Sequence, residues 1–210
     1  MEYEVRFYYG ENGIKDIISR LDSIGELEQY PETYEKTIQY NHSDNRYNFY
    51  SKEIDGRFRY RVSSNNNGSK TKLSWKRRLN DTTNTDVNKE EEVEVNIDYN
   101  DMDNFLYIVE NVLHMNVVES YERYRTVYKN SEVEISIDKY PFGYALEIES
   151  INSDERAEQI VSNWCKKIGL DIKKSYRLSW DDKYEELCEE QNVVKYNEVT
   201  FDKDMPKIID

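Results

Sequence analysis

Charged side chains recur at every second position in several segments of this sequence, and most of these segments carry charge of one sign. Successive side chains of a β-strand point to opposite faces, so each set would share one face of a strand. Arginine binds phosphate oxygens in a bidentate manner, and carboxylates suit hard divalent cations. The pattern therefore indicates phosphate and metal chemistry. The alternating sets are Glu2, Glu4 and Arg6; Arg57, Arg59 and Arg61; Lys76 and Arg78; Glu90, Glu92 and Glu94; Arg123 and Arg125; and Glu147 and Glu149.

Two interpretations fit this alternation, because the opposite faces of the same strands carry apolar or aromatic residues. The charged faces could be the solvent side of a half-buried sheet, which is the usual meaning of such a pattern. They could instead point into a closed barrel, whose interior at eight strands holds side chains or one small ligand. Buried charges must pair or bind ligands. The uniform sign of each set and the preference for Arg over Lys favour the barrel, with arginines holding a polyphosphate and carboxylates holding Mg²⁺ or Mn²⁺.

The composition argues against several other classes of function. The chain has 210 residues and a net charge of −14, which repels duplex DNA and anionic lipid. Two His and two Cys make a His-based triad, a zinc site or a disulfide framework improbable. There is no glycine-rich phosphate loop and no apolar run near the roughly 20 residues of a membrane span. We expect a protein without membrane association, and the acidic N-terminus, unlike a signal peptide, indicates a cytoplasmic location.

The elements that would position these residues follow from the spacing of apolar side chains. Period-two alternation predicts about eight strands with mostly short connections, and helical spacing predicts helices outside them. We therefore expect an α+β fold built on a closed antiparallel barrel. The predicted strands are 2–8, 37–40, 46–51, 57–62, 72–78, 91–97, 117–128, 132–138 and 144–150, and the predicted helices are 14–24, 105–113, 160–168 and 181–190.

The remaining segments are predicted to be loops or a tail. Residues 63–69 are rich in Ser and Asn and predict a loop, and residues 80–88 predict a polar, mobile segment. No linker divides the chain, so residues 1–191 form one expected domain. Residues 192–210 lack periodicity and are predicted to be a C-terminal tail.

Taken in order, these segments resemble the CYTH family of triphosphate tunnel metalloenzymes over roughly residues 1–180. The strongest part is Ile137–Glu149, which resembles the family's Asp, Pro-x-Gly and E-I-E signature. No single motif is specific, whereas the ordered set is. The other segments are Glu2–Arg6, like the opening E-x-E-x-K; Asp55–Arg61, like R-x-R; Leu73–Lys76, like the phosphate-binding Lys strand; Glu90–Val95, like E-x-E; Tyr121–Arg125, like K-x-R; and Trp164–Leu170 with Ser175–Tyr176, like the closing helix and its Ser-Tyr pair.

The resemblance implies a closed eight-stranded triphosphate tunnel that hydrolyses tripolyphosphate, thiamine triphosphate or a nucleoside triphosphate with Mg²⁺ or Mn²⁺. The implied catalytic residues are Glu2, Glu4 and Arg6. The implied substrate-binding residues are Arg57, Arg59, Arg61, Lys76, Arg78, Arg123 and Arg125. The implied metal ligands are Glu2, Glu4, Glu92, Glu94, Asp138, Glu147 and Glu149. The only implied partner is the small-molecule substrate, and the protein would be a monomer or a homodimer.

The sequence departs from the family pattern at two positions. Arg6 and Arg123 stand where the family usually has Lys, and arginine keeps the charge but does not readily lose its proton. Three alternatives to the hydrolase stay open at this point. They are a class IV adenylate cyclase that makes cyclic AMP from ATP, an RNA 5′-triphosphatase, and a binding module without turnover.

Overall fold

The structure is a computed structural model, and it describes residues 1–49, 54–79 and 86–210. Its central feature is an antiparallel sheet that closes on itself. The strands are β1 (Glu2–Tyr9), β2 (Glu28–Gln29), β3 (Thr33–His42), β4 (Asp55–Asn65), β5 (Gly68–Arg78), β6 (Asn88–Ile97), β7 (Met115–Lys129), β8 (Val133–Tyr140), β9 (Gly143–Ser150) and β10 (Glu198–Val199). Eight of them form the closed barrel in the order β3-β4-β5-β6-β1-β9-β8-β7, and β7 pairs back with β3. The predicted fold is confirmed.

Four helices lie outside the barrel in the described part of the chain. They are α1 (Glu11–Asp22), α2 (Met102–Tyr107, continued by a π-helical turn over Ile108–Val112), α3 (Ala157–Ile168) and α4 (Trp180–Glu190). Helix α3 ends at Gly169, which adopts a left-handed φ of 82° that glycine accepts without steric cost. The helices predicted from apolar spacing are therefore present, with bounds shifted by a few residues.

The hydrophobic core lies outside the barrel wall, between the strands and the helices. Val5, Ile148 and Ile135 stand side by side on β1, β9 and β8, and each is at most 1 % exposed. Helices α1 and α3 cover this face with Ile17 and Trp164, among others. Because strand side chains alternate, the neighbouring residues of the same strands face the lumen. Packing the apolar face outward is thus what turns the charged face inward.

Two predicted segments differ from the structure. Residues 46–49 do not form a strand, because Asn45–Tyr47 is a 3-10 turn whose first N–H groups are capped by Asp44. Residues 50 and 51 of that prediction lie outside the described residues. The predicted loop over 63–69 is only a two-residue turn, since β4 continues to Asn65 and β5 begins at Gly68. Of the predicted segment 80–88, residues 80–85 lie outside the described residues.

The C-terminal segment predicted to be a tail follows the barrel closely. Strand β10 pairs in parallel with β7, and Val199 and Met205 are 1 % and 3 % exposed. Both pack into an aromatic cluster that includes Tyr121 and Tyr184. The segment therefore contributes to the core that covers one end of the barrel.

This packing gives a stability test within one segment. Replacing Met205 with Ala should destabilise the fold by about 2–5 kcal/mol, because a buried side chain leaves a cavity that closes only partly. Urea unfolding followed by circular dichroism measures the difference. Ile209→Ala is the matched control, since Ile209 is 85 % exposed and its loss should change stability by less than about 0.5 kcal/mol. Equal effects of the two substitutions would contradict the packing.

Candidate active site in the barrel lumen

The barrel encloses a cavity of about 430 Å³ whose wall is almost entirely charged. Nine carboxylates and nine cationic side chains line it, so its formal charge is zero although the chain carries −14. A lumen of this kind is stable only if its charges pair or bind ligands. The acidic lining residues are Glu2, Glu4, Glu35, Glu90, Glu92, Glu94, Glu134, Glu147 and Glu149, and the basic ones are Arg6, Arg57, Arg59, Arg61, Lys72, Lys76, Arg78, Arg123 and Arg125.

Strand register decides which charges become neighbours. Glu4 stands opposite Glu149, and Glu149 stands opposite Glu134 on the next strand. One step of two residues further along, Arg6 stands opposite Glu147. Along the barrel wall, like charges on neighbouring strands are therefore followed by opposite charges on neighbouring strands.

The carboxylates of Glu2, Glu4 and Glu149 gather at one place in the lumen. One oxygen of each lies within 4.8 Å of the others. Lys76 Nζ lies 2.9 Å from Glu2 and 3.0 Å from Glu4, and it faces this acidic cluster. Arg6 also lies 3.2 Å from Glu4, but Lys76 and Arg6 each pair with carboxylates outside this group as well, so negative charge remains in excess. We call Glu2, Glu4 and Glu149 the acidic cluster below.

The protonation of the acidic cluster reflects this excess. Burial is the largest cause that raises the pKa of Glu149, to about 9, and the nearby Glu2 adds to it. Burial also raises the pKa of Glu2 to about 7, against the opposing effect of Lys76. Burial acts the same way on Glu4, but Lys76 and Arg6 outweigh it and lower its pKa. Glu2 and Glu149 are therefore easily protonated when no metal ion is bound.

The acidic cluster fits a Mg²⁺ or Mn²⁺ ion. Its ligand atoms are all carboxylate oxygens, which both ions prefer, and their spacing allows one ion to touch all three. A divalent ion would also supply the positive charge that Lys76 alone does not balance. The predicted ligands Glu2, Glu4 and Glu149 are therefore the ones that the fold brings together.

Of the other predicted metal ligands, Glu92 adjoins the acidic cluster through a side-chain hydrogen bond with Glu2. Glu92 lies 3.0 Å from Arg59 and 3.5 Å from Lys76; burial opposes its ionisation, but Lys76 and Arg59 lower its pKa to about 2. Glu94 pairs with Lys72 at 2.5 Å, and its side chain is 36 % exposed. Glu94 therefore lies at the open rim of the lumen.

Glu147 and Asp138 contact arginines rather than the acidic cluster. Glu147 lies 2.6 Å from Arg6 and 2.7 Å from Arg125. Asp138 is fully buried, is absent from the cavity lining among the described residues, and accepts bonds from Arg123 at 2.8 Å and Arg125 at 2.6 Å. Both carboxylates hold guanidinium groups in place, and their role as metal ligands stays a prediction.

The predicted phosphate-binding residues do line the lumen together. Arg123 is held by Glu35 at 2.6 Å as well as by Asp138, and Arg61 donates to Thr37 Oγ1 at 3.1 Å. Burial opposes the charge of Arg123, but Asp138 and Glu35 outweigh it and raise its pKa. Arg123 therefore stays a cation whether or not a ligand is bound.

Three further predicted residues also line the lumen. Arg57 pairs with Asp55 at 2.6 Å, and Arg78 pairs with Asp55 at 3.1 Å and with Glu90 at 3.3 Å. Arg6 donates to Glu147 and Glu4 and to the carbonyl of Leu178. Burial opposes the charge of Arg6, but Glu147, Glu4 and the nearby Tyr8 and Tyr140 together outweigh it and raise the pKa of Arg6, so Arg6 stays a cation.

Some lining residues escaped the sequence analysis. Glu35 lines the lumen from β3, but it precedes the predicted strand 37–40 and the next residue, Lys36, is charged as well, which weakens the alternation. Tyr121 also lines the lumen; burial opposes its ionisation, but Arg61 and Arg123 outweigh it and lower its pKa to about 8. Trp180 lines the lumen from α4, and no local pattern identifies a helical residue as part of a barrel interior.

Comparison with solved structures shows that this fold is shared. The PH1819 protein from Pyrococcus horikoshii OT3 superposes with a TM-score of 0.66 at 21 % identity, over 91 % of this chain and 99 % of that one. A proposed adenylate cyclase from Vibrio parahaemolyticus gives 0.63 at 16 % identity, over 86 % and 95 % of the two chains. HpAC1 from Hippeastrum, a proposed adenylyl cyclase described as having a dominant triphosphatase activity, gives 0.57 at 16 % identity, over 93 % and 98 %.

No protein-family model and no curated protein sequence matches the chain. The structural neighbours nevertheless confirm the predicted resemblance to the CYTH and triphosphate tunnel proteins at the level of fold. None of the helices in the described ranges is long and apolar enough to cross a membrane.

The raised pKa of Glu149 predicts a pH-dependent stability in metal-free protein. Between its ordinary pKa of 4.5 and about 9, the folded state holds a proton that the unfolded state releases, so stability falls as pH rises. Glu149→Gln removes this loss. The melting temperature of Glu149→Gln should therefore rise relative to that of the wild type by several degrees between pH 6 and pH 9. The conversion is roughly 2–4 °C per kcal/mol.

Differential scanning fluorimetry in EDTA measures this gain, and Glu147→Gln is the matched control on the same strand. Burial opposes the ionisation of Glu147, but Arg6 and Arg125 outweigh it and lower its pKa. Glu147→Gln should therefore destabilise the protein throughout this pH range. If the melting temperatures of the two variants changed with pH in the same way, the opposite pKa shifts assigned to Glu149 and Glu147 would be contradicted.

Proposed function

We propose that the protein hydrolyses a triphosphate in this lumen with the help of Mg²⁺ or Mn²⁺. The observation that carries the proposal is that the acidic cluster and a wall of fixed arginines face one cavity. The substrate is inorganic tripolyphosphate, thiamine triphosphate or a nucleoside triphosphate. The triphosphatase described for HpAC1 supports the reaction class by similarity of fold.

The arginines would bind the phosphate chain. Arg59, Arg61, Arg123 and Arg125 lie on adjacent or nearby strands, and carboxylates fix three of them at 2.6–3.0 Å. Guanidinium groups that are already oriented need no rearrangement when charge develops on the transferred phosphoryl oxygens. Their main effect is therefore electrostatic stabilisation of the transition state.

The acidic cluster would hold the divalent ion beside that wall. When bound, such an ion polarises the terminal phosphoryl group and lowers the pKa of coordinated water. Lys76 also lies 2.7 Å from Glu90 and 3.5 Å from Glu92, so it would keep these carboxylate partners if the acidic cluster held an ion. Burial opposes the charge of Lys76, but Glu4, Glu92 and Glu2 outweigh it and raise its pKa, so it also stays a cation.

The residues that line the lumen give little support for a site that recognises a nucleoside. The aromatic lining residues Tyr121, Tyr140 and Trp180 are 1–5 % exposed and pack against one another, so no free ring face is offered to a base. A cyclase must hold the ribose in line with the α-phosphorus, which demands such orienting contacts. Hydrolysis is therefore the better-supported reaction.

The first test concerns the acidic cluster. Glu4→Gln keeps the side-chain size but removes one charge from the cluster, and it should lower kcat by about 10²-fold or more with little change in KM, because the ion acts in the transition state. Phosphate release from tripolyphosphate with Mg²⁺ is the assay. Glu91→Gln is the control, since Glu91 pairs with Arg77 outside the lumen and should leave kcat unchanged. Near-normal turnover of Glu4→Gln at limiting Mg²⁺ would refute the assignment.

The second test separates hydrolysis from cyclisation. Incubation with ATP and Mn²⁺ should yield ADP and orthophosphate, which chromatography resolves from cyclic AMP and pyrophosphate. Tripolyphosphate, thiamine triphosphate and RNA with a 5′-triphosphate complete the substrate panel. Cyclic AMP as the main product would establish the cyclase instead, and hydrolysis confined to RNA would establish an RNA 5′-triphosphatase.

A further inference from the structure

Arg61 is held differently from the other arginines that line the lumen. Each of the others lies within 3.1 Å of a carboxylate oxygen. In the described part of the chain the nearest carboxylate to Arg61 is that of Glu35, at 3.7 Å, and Glu35 lies closer to Arg123, at 2.6 Å. The positive charge of Arg61 is therefore the least compensated among these arginines.

Two hydroxyl groups contact Arg61 where its neighbours have a carboxylate. Arg61 Nε donates to Thr37 Oγ1 at 3.1 Å, and Arg61 Nη2 donates towards the Tyr121 hydroxyl at 3.5 Å. Strand register sets this arrangement, because Thr37 on β3 stands opposite Arg61 on β4 and opposite Tyr121 on β7. The three side chains therefore form one row across three neighbouring strands.

Packing around the ring of Tyr121 keeps its hydroxyl in this row. Tyr121 lines the cavity and is 1 % exposed. Its ring lies 4.3 Å from the Trp180 ring and 5.7 Å from the Tyr140 ring, measured between centroids. The guanidinium carbon of Arg123 lies 6.0 Å from the centroid of the same ring. The hydroxyl is thus held beside Arg61 by the packing of a core residue.

Resting on the triphosphatase function proposed above, we propose that Tyr121 is a positioning residue for Arg61. Its hydroxyl and that of Thr37 orient the guanidinium group without neutralising it. The phosphate chain of the substrate then supplies the negative charge that no close carboxylate supplies. Arg61 thereby keeps more of its charge for the ligand than an arginine already in a short ion pair.

The Tyr121 hydroxyl can serve Arg61 in this way only while it carries its proton. Burial opposes its ionisation, but Arg61, Arg123 and Arg59 outweigh it and lower the pKa of Tyr121 to about 8. Above that pH a phenolate would compensate Arg61 and compete with phosphate. Because a bound anion favours the neutral phenol, binding should weaken as pH rises through about 8.

The other groups around Tyr121 offer no second source of this pH dependence in the same range. Glu35, which faces it from β3 through Arg123, has its pKa lowered: burial opposes ionisation, but Arg123 and Arg61 outweigh it. Tyr140 on β8 has its pKa raised, with burial as the largest cause. Trp180 of α4 and Val199 of β10, which also pack against Tyr121, do not titrate.

The test is the binding of tripolyphosphate to wild type and Tyr121→Phe by isothermal titration in EDTA. At about pH 7 the variant should bind about three- to tenfold more weakly, because Arg61 has lost one partner. The ratio of the two dissociation constants, variant over wild type, should then fall by about tenfold between about pH 7 and about pH 9.5, since only the wild type gains the phenolate. The ratio cancels the titration of tripolyphosphate itself and of Glu2 and Glu149.

Thr37→Val is the matched control. It also removes a hydroxyl partner of Arg61, but threonine does not titrate and Tyr121 is retained. Its dissociation constant relative to the wild type should therefore stay within about twofold over the same pH range. If the ratio for Tyr121→Phe were as constant as that for Thr37→Val, the proposed role of Tyr121 would be wrong.

A measurement on the wild type decides the matter if Tyr121→Phe does not fold. A phenolate absorbs at longer wavelength than a phenol, so near-ultraviolet absorbance reports the ionisation of tyrosine. At about pH 8.5 most of Tyr121 is ionised, and saturating tripolyphosphate should lower the phenolate signal by at most one tyrosine equivalent. An unchanged signal at saturation would overturn the inference, and a folded Tyr121→Phe variant should lack the change.

The outcomes also separate this inference from the proposed function. If tripolyphosphate binds and is hydrolysed with Mg²⁺ but the variants share one pH profile, the triphosphatase stands and the role of Tyr121 fails. If tripolyphosphate neither binds nor is hydrolysed, the proposed function fails and this inference fails with it.

Discussion

Eighteen charged side chains, most of them buried, line one narrow lumen, and this is the constraint on which the rest of the structure depends. An unpaired charge inside a protein is costly, and the cost falls only when a partner or a ligand is supplied. Most charged side chains of the lumen avoid this cost because they form ion pairs with one another. Arg123 between Glu35 and Asp138, and Glu147 between Arg6 and Arg125, leave no net charge behind. Such fully paired groups fix the shape of the wall.

The acidic cluster is the place where pairing is incomplete. Lys76 contacts Glu2 and Glu4 but also Glu90 and Glu92, and the raised pKa values of Glu2 and Glu149 favour their protonated forms when no divalent cation is bound. A triphosphate adds several negative charges to a lumen whose formal charge is zero. A divalent cation at the acidic cluster would make that addition favourable. Metal and substrate are therefore expected to bind in a mutually dependent way.

A charged lumen contributes little to stability, so the fold must be held from outside. Val5, Ile135 and Ile148 turn outward under α1 and α3, and the aromatic cluster at the covered end joins α4 to the C-terminal segment. The same packing that stabilises the barrel also seals one of its ends with Trp180. Trp180 therefore belongs both to the packing that stabilises the barrel and to the wall of the lumen.

The sequence by itself determined which side of each strand faces the lumen. Alternation along β1, β4, β6 and β9 is a local property, since the backbone fixes the direction of each side chain. It was enough to predict the barrel, the arginines and the acidic residues of the lumen. It also predicted the helices that cover the apolar face.

Only the tertiary structure decided which lumen residues meet. Register and barrel closure bring Glu149 to Glu2 and Glu4 but place Glu147, two residues away, between Arg6 and Arg125. They also bury Asp138 behind the arginines and bring Trp180 of α4 against the lumen. These contacts join segments far apart in sequence, and alternation carries no information about register between strands. The physical reason is that strand pairing, and not the strand itself, sets the distance between two charges.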